Sequence, residues 1–179
     1  MTEYLDILDE NGNKTGEKDT RENIHKKGLL HSEVAAFIYT NSGKILLQKR
    51  ASNKKTYADI WSVTGGHVLS GENNEEAIIR EIKEELNLNI KIENITLVAT
   101  YKSKKTKDDV INNKFFSTYI VEINEDEFSK ITIQTEELED VKLFSIEEIE
   151  NIITSKDKNY KFPQNAEISI KQIKENINK

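Results

Sequence analysis

The chain has no cysteine and only one proline, Pro163, in 179 residues. Without thiols there can be no disulfide, no thiolate metal ligand and no cysteine acting as nucleophile or acid. Long apolar runs are also missing: Val34–Tyr39 is among the longest and is far too short to span a bilayer. The opening Met1-Thr-Glu-Tyr-Leu-Asp6 is acidic and lacks the basic-then-apolar layout of a signal peptide, so a cytoplasmic protein with no membrane partner is expected. The net charge of -6 and the 32% charged residues favour solubility, and no extended basic face argues for duplex nucleic acid as a partner. A nucleotide remains compatible with that balance. No internal repeat of the length seen in solenoids is visible, and the length suits one globular domain with a real core. The abundance of Ile, Lys and Asn reads as background bias.

Tyr4–Leu8 and a run near Thr15–Lys18 flank Asn11-Gly12, a pair that favours the positive φ of a tight turn, so an N-terminal β-hairpin is expected. Arg21–Lys27 reads as a short helix ended by Gly28. Val34–Thr40 and Lys44–Lys49 read as strands joined at Asn41-Ser-Gly43. Ala51–Ile60 is polar loop, and Trp61-Ser-Val-Thr leads into the glycine-rich Gly65–Gly71. A helix is expected from about Asn74 to Leu86, with Asn73 as N-cap, Glu76 closing a capping box and Asn87 in the left-handed position beyond the end. Strands follow at Ile95–Tyr101, Phe115–Ile123 and Val141–Phe144, with polar loops at Asn53–Asp59 and Lys102–Lys114 available to face a substrate. Ser145 can cap a helix over Ile146–Ile153, and a last helix covers Ala166–Ile177. Mixed strands and helices with dominant hairpins give an α+β class.

The helix near Arg80 carries the chemistry. Ile78, Ile79, Ile82 and Leu86 share one stripe, and Glu81, Glu84 and Glu85 lie beside it. Three carboxylates at i, i+3 and i+4 repel one another, so they serve helix stability poorly. A divalent cation reverses that penalty, and Mg²⁺ prefers such oxygen ligands while retaining water. Gly65-Gly66 can bring backbone close enough to add a carbonyl ligand. A solvated acidic face is the bland alternative for the triplet alone.

The wider frame is more specific: Gly66, five residues, Glu72, seven residues, then Arg80-Glu-Ile-Lys-Glu-Glu-Leu-Asn-Leu88. It closely resembles the Nudix box and departs from it only at Asn87, where the family has glycine. Asn is the next-best residue for that backbone. The resemblance implies a Nudix-like mixed sheet between helices, an α/β/α sandwich. It would occupy residues 1–179 as a single Nudix domain, with a hairpin extension over about 1–30 and a C-terminal helix over about 165–178. It further implies that Glu81 and Glu85 bind Mg²⁺, or alternatively Mn²⁺, with the Gly65 carbonyl. Glu84 would be a further ligand and one of these glutamates the base. Arg80 and Glu72 would be the pair that orients them, and Glu136 or Glu137 an additional carboxylate. A homodimer is a family expectation to which no residue here points.

Beyond the box, Asp6-Ile-Leu-Asp-Glu-Asn-Gly12, His25, His31, Leu46-Leu-Gln-Lys-Arg50, Lys54-Lys55, Trp61 and Gly66-His67 are similar to the branch containing type 1 isopentenyl-diphosphate isomerase and its hydrolase relatives. In the isomerase, histidines matching His25, His31 and His67 join two glutamates around a metal, and a cysteine and a glutamate move protons. Here the cysteine position is Gly65, and the glutamate positions align near Asn112 and Lys114. Glycine transfers no proton, and a lysine repels a cation. The resemblance therefore implies a metal-dependent hydrolase of a diphosphate linkage, in a nucleoside diphosphate or a related derivative. Arg50 and Lys54 would grip the diphosphate of that small-molecule substrate. The alternatives are an isomerase-like activity and a Nudix domain that binds a nucleotide without turnover. Lacking a carboxylate partner, the three histidines are expected to be a hydrogen-bonded structural set, with a metal as the alternative.

Overall fold

Local chemistry starts and stops the elements. In the computed structural model, which describes residues 2–54, 56–163 and 166–177, strands β1 (Tyr4–Leu8) and β2 (Lys14–Thr20) pair antiparallel. Helix α1 (Arg21–Lys27) is capped by the Thr20 hydroxyl and closed by Gly28 at φ 65. The hairpin turn differs from expectation. Gly12 alone takes positive φ, while the Asp9 carboxylate accepts from the Asn11 and Asn13 amides, giving a longer side-chain-braced loop.

The main sheet has seven strands: β3 (His31–Thr40), β4 (Ile45–Arg50), β5 (Trp61–Ser62), β6 (Thr64–His67), β7 (Ile95–Lys107), β8 (Val110–Ile123) and β9 (Leu138–Phe144). The path runs β5-β4-β3-β8-β7, with β6 on β3 and β9 on β4; β3 and β8 are parallel and the other pairs antiparallel. Helix α2 (Asn74–Leu86) has the capping box at Asn73 and Glu76 and ends at Asn87, φ 55. Helices α3 (Glu125–Ser129), α4 (Ile146–Ser155) and α5 (Ala166–Ile177) complete the chain.

Period-two alternation on β3 divides the core. Val34, Ala36 and Ile38 pack with Ile78, Ile82 and Leu86 of α2, while Phe37 packs with Ile149 of α4 and Ile170 and Ile173 of α5. Each fully buried aliphatic side chain stabilises by roughly 1.5–3 kcal/mol, so the stripe of α2 fixes which way its glutamates face. The result is a mixed sheet between helices.

Two segments correct the sequence reading. Residues 102–114 form a long hairpin, the outer halves of β7 and β8, instead of a polar loop. Residues 65–67, the start of the segment read as glycine-rich, instead belong to strand β6, paired with Glu33–Ala36 of β3. Lys55 lies outside the described residues.

Candidate active site

Glu81 and Glu85 project from the edge of the buried stripe of α2, and Glu84 stands on its exposed side. Glu85 is 6% exposed and accepts a 2.9 Å hydrogen bond from Gln48 Nε2. The amide is oriented in turn by the Thr64 hydroxyl, which donates to Gln48 Oε1 at 3.0 Å. Burial pushes the Glu85 carboxyl up, the Gln48 hydrogen bond only partly opposes it, and the Glu81 charge adds to it, leaving a pKa of about 8. Burial likewise raises Glu81, although Arg80 pulls the other way.

Arg80 organises the helix face. Its Nε donates to Glu72 Oε1 at 2.7 Å and its Nη2 to Glu72 Oε2 at 3.1 Å, a bidentate pair. Nη1 reaches Glu81 at 2.8 Å and Glu84 at 3.2 Å, and Nη2 also donates to the His67 carbonyl at 2.9 Å. One guanidinium thus ties the start of the box, the helix and β6 together. A side chain on Gly66 would overlap the Glu81 carboxylate, so only glycine permits this approach. Gly65 abuts the backbone of Val34 and Ala35 on β3, and a side chain there would collide with the Val34 carbonyl.

Arg50 and Lys54 lie at the end of β4 and the loop after it. Both pair with Glu137, at 3.2 and 2.5 Å, and the charges of Arg50 and Glu137 both act on Glu85. Of the two expected extra carboxylates the structure therefore brings Glu137 to the site, while Glu136 is exposed on the preceding turn. Trp61 is 3% exposed and packs edge-on against Phe144, a core residue.

Across the sheet, His25, His31 and His67 do converge, and a residue that the sequence reading left out joins them. Glu33 Oε1 lies 3.2 Å from His67 Nε2 and 3.7 Å from His31 Nε2. The expectation that these histidines lack a carboxylate partner is corrected: period two places Glu33 beside His31 on one face of β3. Lys114 and Asn112, read as unfit for a metal site, both donate to Glu33. Burial opposes ionisation of Glu33, but the contacts from His31 and His67 and the Lys114 charge outweigh it and hold the carboxyl well below its ordinary range. Burial and the neighbouring imidazoles lower His25 to about 4. Gln48 and Thr64 were also missed. Both are buried polar side chains whose meeting depends on the folded sheet, and no local pattern in the sequence marks them.

The NUDIX domain family model matches residues 29–165. The chain belongs to the Nudix domain family. It is 32% identical over 154 residues to an uncharacterized Nudix hydrolase of Listeria innocua, covering 86% of each chain. It is 30% identical over 121 residues to an isopentenyl-diphosphate delta-isomerase of Serratia proteamaculans, covering 67% of this chain and 66% of that one. Among solved structures, DR0079 of Deinococcus radiodurans matches with a TM-score of 0.72 at 18% identity, covering 96% of this chain and 99% of that one. The NUDIX domain of Shewanella oneidensis NrtR, complexed with ADP ribose, matches with 0.60 at 17%, covering 83% and 87%. These structures share the Nudix fold, and the family with its hydrolase members identifies a hydrolase acting on phosphorus-containing anhydrides. The β1–β2 hairpin precedes the matched segment.

Proposed function

We propose that this Nudix hydrolase cleaves the diphosphate linkage of a nucleoside diphosphate or a related derivative, with Mg²⁺ or Mn²⁺ held by Glu81, Glu85, the exposed Glu84 and the Gly65 carbonyl. The observation that carries the reading is Glu85. A buried carboxylate with a single amide donor and a second carboxylate nearby is an arrangement that a divalent cation stabilises. Bound there, such an ion neutralises charge on phosphoryl oxygens and acidifies a water.

The chain's own residues do the rest. Arg80, anchored on Glu72, holds Glu81 and Glu84 at fixed positions on the helix, and Gln48 with Thr64 fixes the Glu85 carboxylate. Arg50 and Lys54 grip the diphosphate, and Glu137 keeps both cations in place between turnovers. A glutamate of the set takes the proton of the attacking water as the phosphorus–oxygen bond forms and the bridging oxygen leaves. The nucleotide part rests on analogy with the ADP ribose bound by the Shewanella domain. Isomerisation is disfavoured, because the chain has no cysteine and Gly65 stands at the position of the isomerase thiol.

Chromatographic product analysis over nucleoside diphosphates, dinucleoside polyphosphates, nucleotide sugars and isopentenyl diphosphate tests this, with Mg²⁺ and with EDTA. Metal-dependent cleavage of a nucleotide-linked member supports the proposal. Tight binding without cleavage sinks it in favour of a sensor.

A further inference from the structure

The turn that opens the Nudix box, residues 69–72, is closed on itself. The Glu72 amide donates to the Leu69 carbonyl at 3.0 Å, and the Leu69 amide donates to the Glu72 carboxylate at 3.0 Å. The same carboxylate holds Arg80, so the place of this turn sets the place of the guanidinium that reaches Glu81 and Glu84. What fixes the turn from outside is the N-terminal hairpin, which lies before the segment that matches the family model. Ser70 donates its amide to the Tyr4 carbonyl at 2.7 Å and its hydroxyl to Asp6 Oδ1 at 2.7 Å, and the Gly71 amide donates to Asp6 Oδ2 at 3.1 Å. Lys14 Nζ lies 2.9 Å from Asp6 Oδ2 and donates to the Glu72 carbonyl at 2.8 Å. Ser70, Gly71 and Glu72 are thus tied in succession to β1 and β2. The hairpin can act as an anchor because it is itself docked: Leu5 is fully buried, Leu8 is nearly so, and the Leu8 amide donates to the Leu30 carbonyl at 2.8 Å.

We propose that Asp6 and Lys14 are positioning residues for the glutamate face of α2, acting through Glu72 and Arg80, so that the N-terminal hairpin is a working part of the site. The consequence for catalysis rests on the proposed role of Glu81 and Glu85 as the metal-holding pair. A carboxylate is what position 6 requires, because a hydroxyl, a backbone amide and an ammonium all converge on its two oxygens. An amide there would offer one acceptor oxygen and turn its own N–H groups toward donors. Burial opposes the charge on Asp6, but the contacts from Lys14, Ser70 and Gly71 outweigh it and hold the carboxyl below its ordinary range. Lys14 contributes by its reach, since one ammonium spans the Asp6 carboxylate and the Glu72 carbonyl. Its side chain is 48% exposed, and so open an ion pair adds little to overall stability. Its effect therefore falls on where the turn sits, and hence on Arg80, more than on the melting temperature.

The test is a pair of double-mutant cycles on the full chain, Lys14→Met and Asp6→Asn each combined with Glu72→Gln. The first readout needs no metal: hydrogen exchange of the Arg80 Nε–H, followed by NMR and assigned by its loss in Arg80→Lys. Lys14→Met and Asp6→Asn are expected to speed that exchange about tenfold, Lys14→Arg to restore it, and neither variant to add anything once Glu72→Gln is present. The second readout is Mn²⁺ affinity by electron paramagnetic resonance, expected to fall about three- to tenfold in the same non-additive pattern. Circular dichroism establishes folding, and the exposed Lys14→Met decides alone should Asp6→Asn not fold. Arg80 exchange unchanged in folded Lys14→Met, or changed equally with and without Glu72, would overturn the proposal. Coupled Arg80 exchange in a parent that binds no Mn²⁺ would uphold the link from hairpin to Arg80 and overturn the metal reading of α2 instead.

Discussion

Glu33 and Glu85 lie on opposite faces of the same sheet, 8% and 6% exposed, and their surroundings drive them in opposite directions. Glu33 is met by Lys114, Asn112 and His67, and stays ionised far below the usual carboxylate range. Glu85 is pushed up by its burial, which one amide and the Arg50 charge only partly offset and the Glu81 charge reinforces, and it rises to about 8. Burial alone therefore says little about a carboxylate; the number and sign of the groups around it decide. Glu85 has been left with unmet demand for positive charge on the face where a phosphorylated substrate and its ion would sit.

Replacing the high-pKa carboxylate breaks the comparison most severely. Glu85→Gln is expected to lower kcat/KM about 10²–10⁴-fold, measured by initial rates at saturating Mg²⁺. Its melting temperature should hold or rise without added metal, since an amide carries no ionisation cost. A folded variant with near-normal turnover would remove Glu85 from the mechanism. Arg80→Lys keeps the charge but loses the fork that spans Glu72, Glu81 and the His67 carbonyl. A loss of about ten- to a hundredfold is expected from misplacement of the glutamates, and an unchanged rate would show that the clamp is only structural.

Glu85 also ties stability and metal affinity to pH. Glu85 titrates near 4.5 when unfolded and near 8 when folded, so in that window the metal-free folded protein holds the extra proton. Its contribution to stability therefore falls as the pH rises from about 4.5 to about 8 and levels off above. Mg²⁺ must displace the same proton, so calorimetric affinity should rise about tenfold per pH unit below about 8 and then flatten. A flat profile in that range would contradict the assignment. The mildest change sharpens the contrast: Gln48→Leu removes the one amide donor and should move this limb up by about one pH unit, since one unit is worth about 1.4 kcal/mol.

Much of this was legible in the sequence where the determinants are local. Helix α2, its capping box and its left-handed end at Asn87 follow from neighbouring residues, and the glutamates could be placed because they share that helix. The hairpin over residues 102–114 was not legible. Its Lys- and Thr-rich strand is largely exposed, so no alternation marks it, and pairing with β8 alone makes it a strand. The relay through Gln48 and Thr64 depends on strands that are adjacent only in the folded sheet. Glu33 was the nearest miss: it sits two residues after His31 and immediately before the apolar run Val34–Tyr39, where a buried charge calls for a partner.

The proposed reaction is water attack on a diphosphate, dependent on the carboxylates of α2. Turnover in heavy-oxygen water, with products weighed by mass spectrometry, tests it most directly. The account predicts one solvent oxygen in one phosphorylated product per cleavage, only with Mg²⁺ or Mn²⁺, and not with Glu85→Gln. Isomerised isopentenyl diphosphate without label, or label incorporated equally by the Glu85→Gln protein, would contradict it.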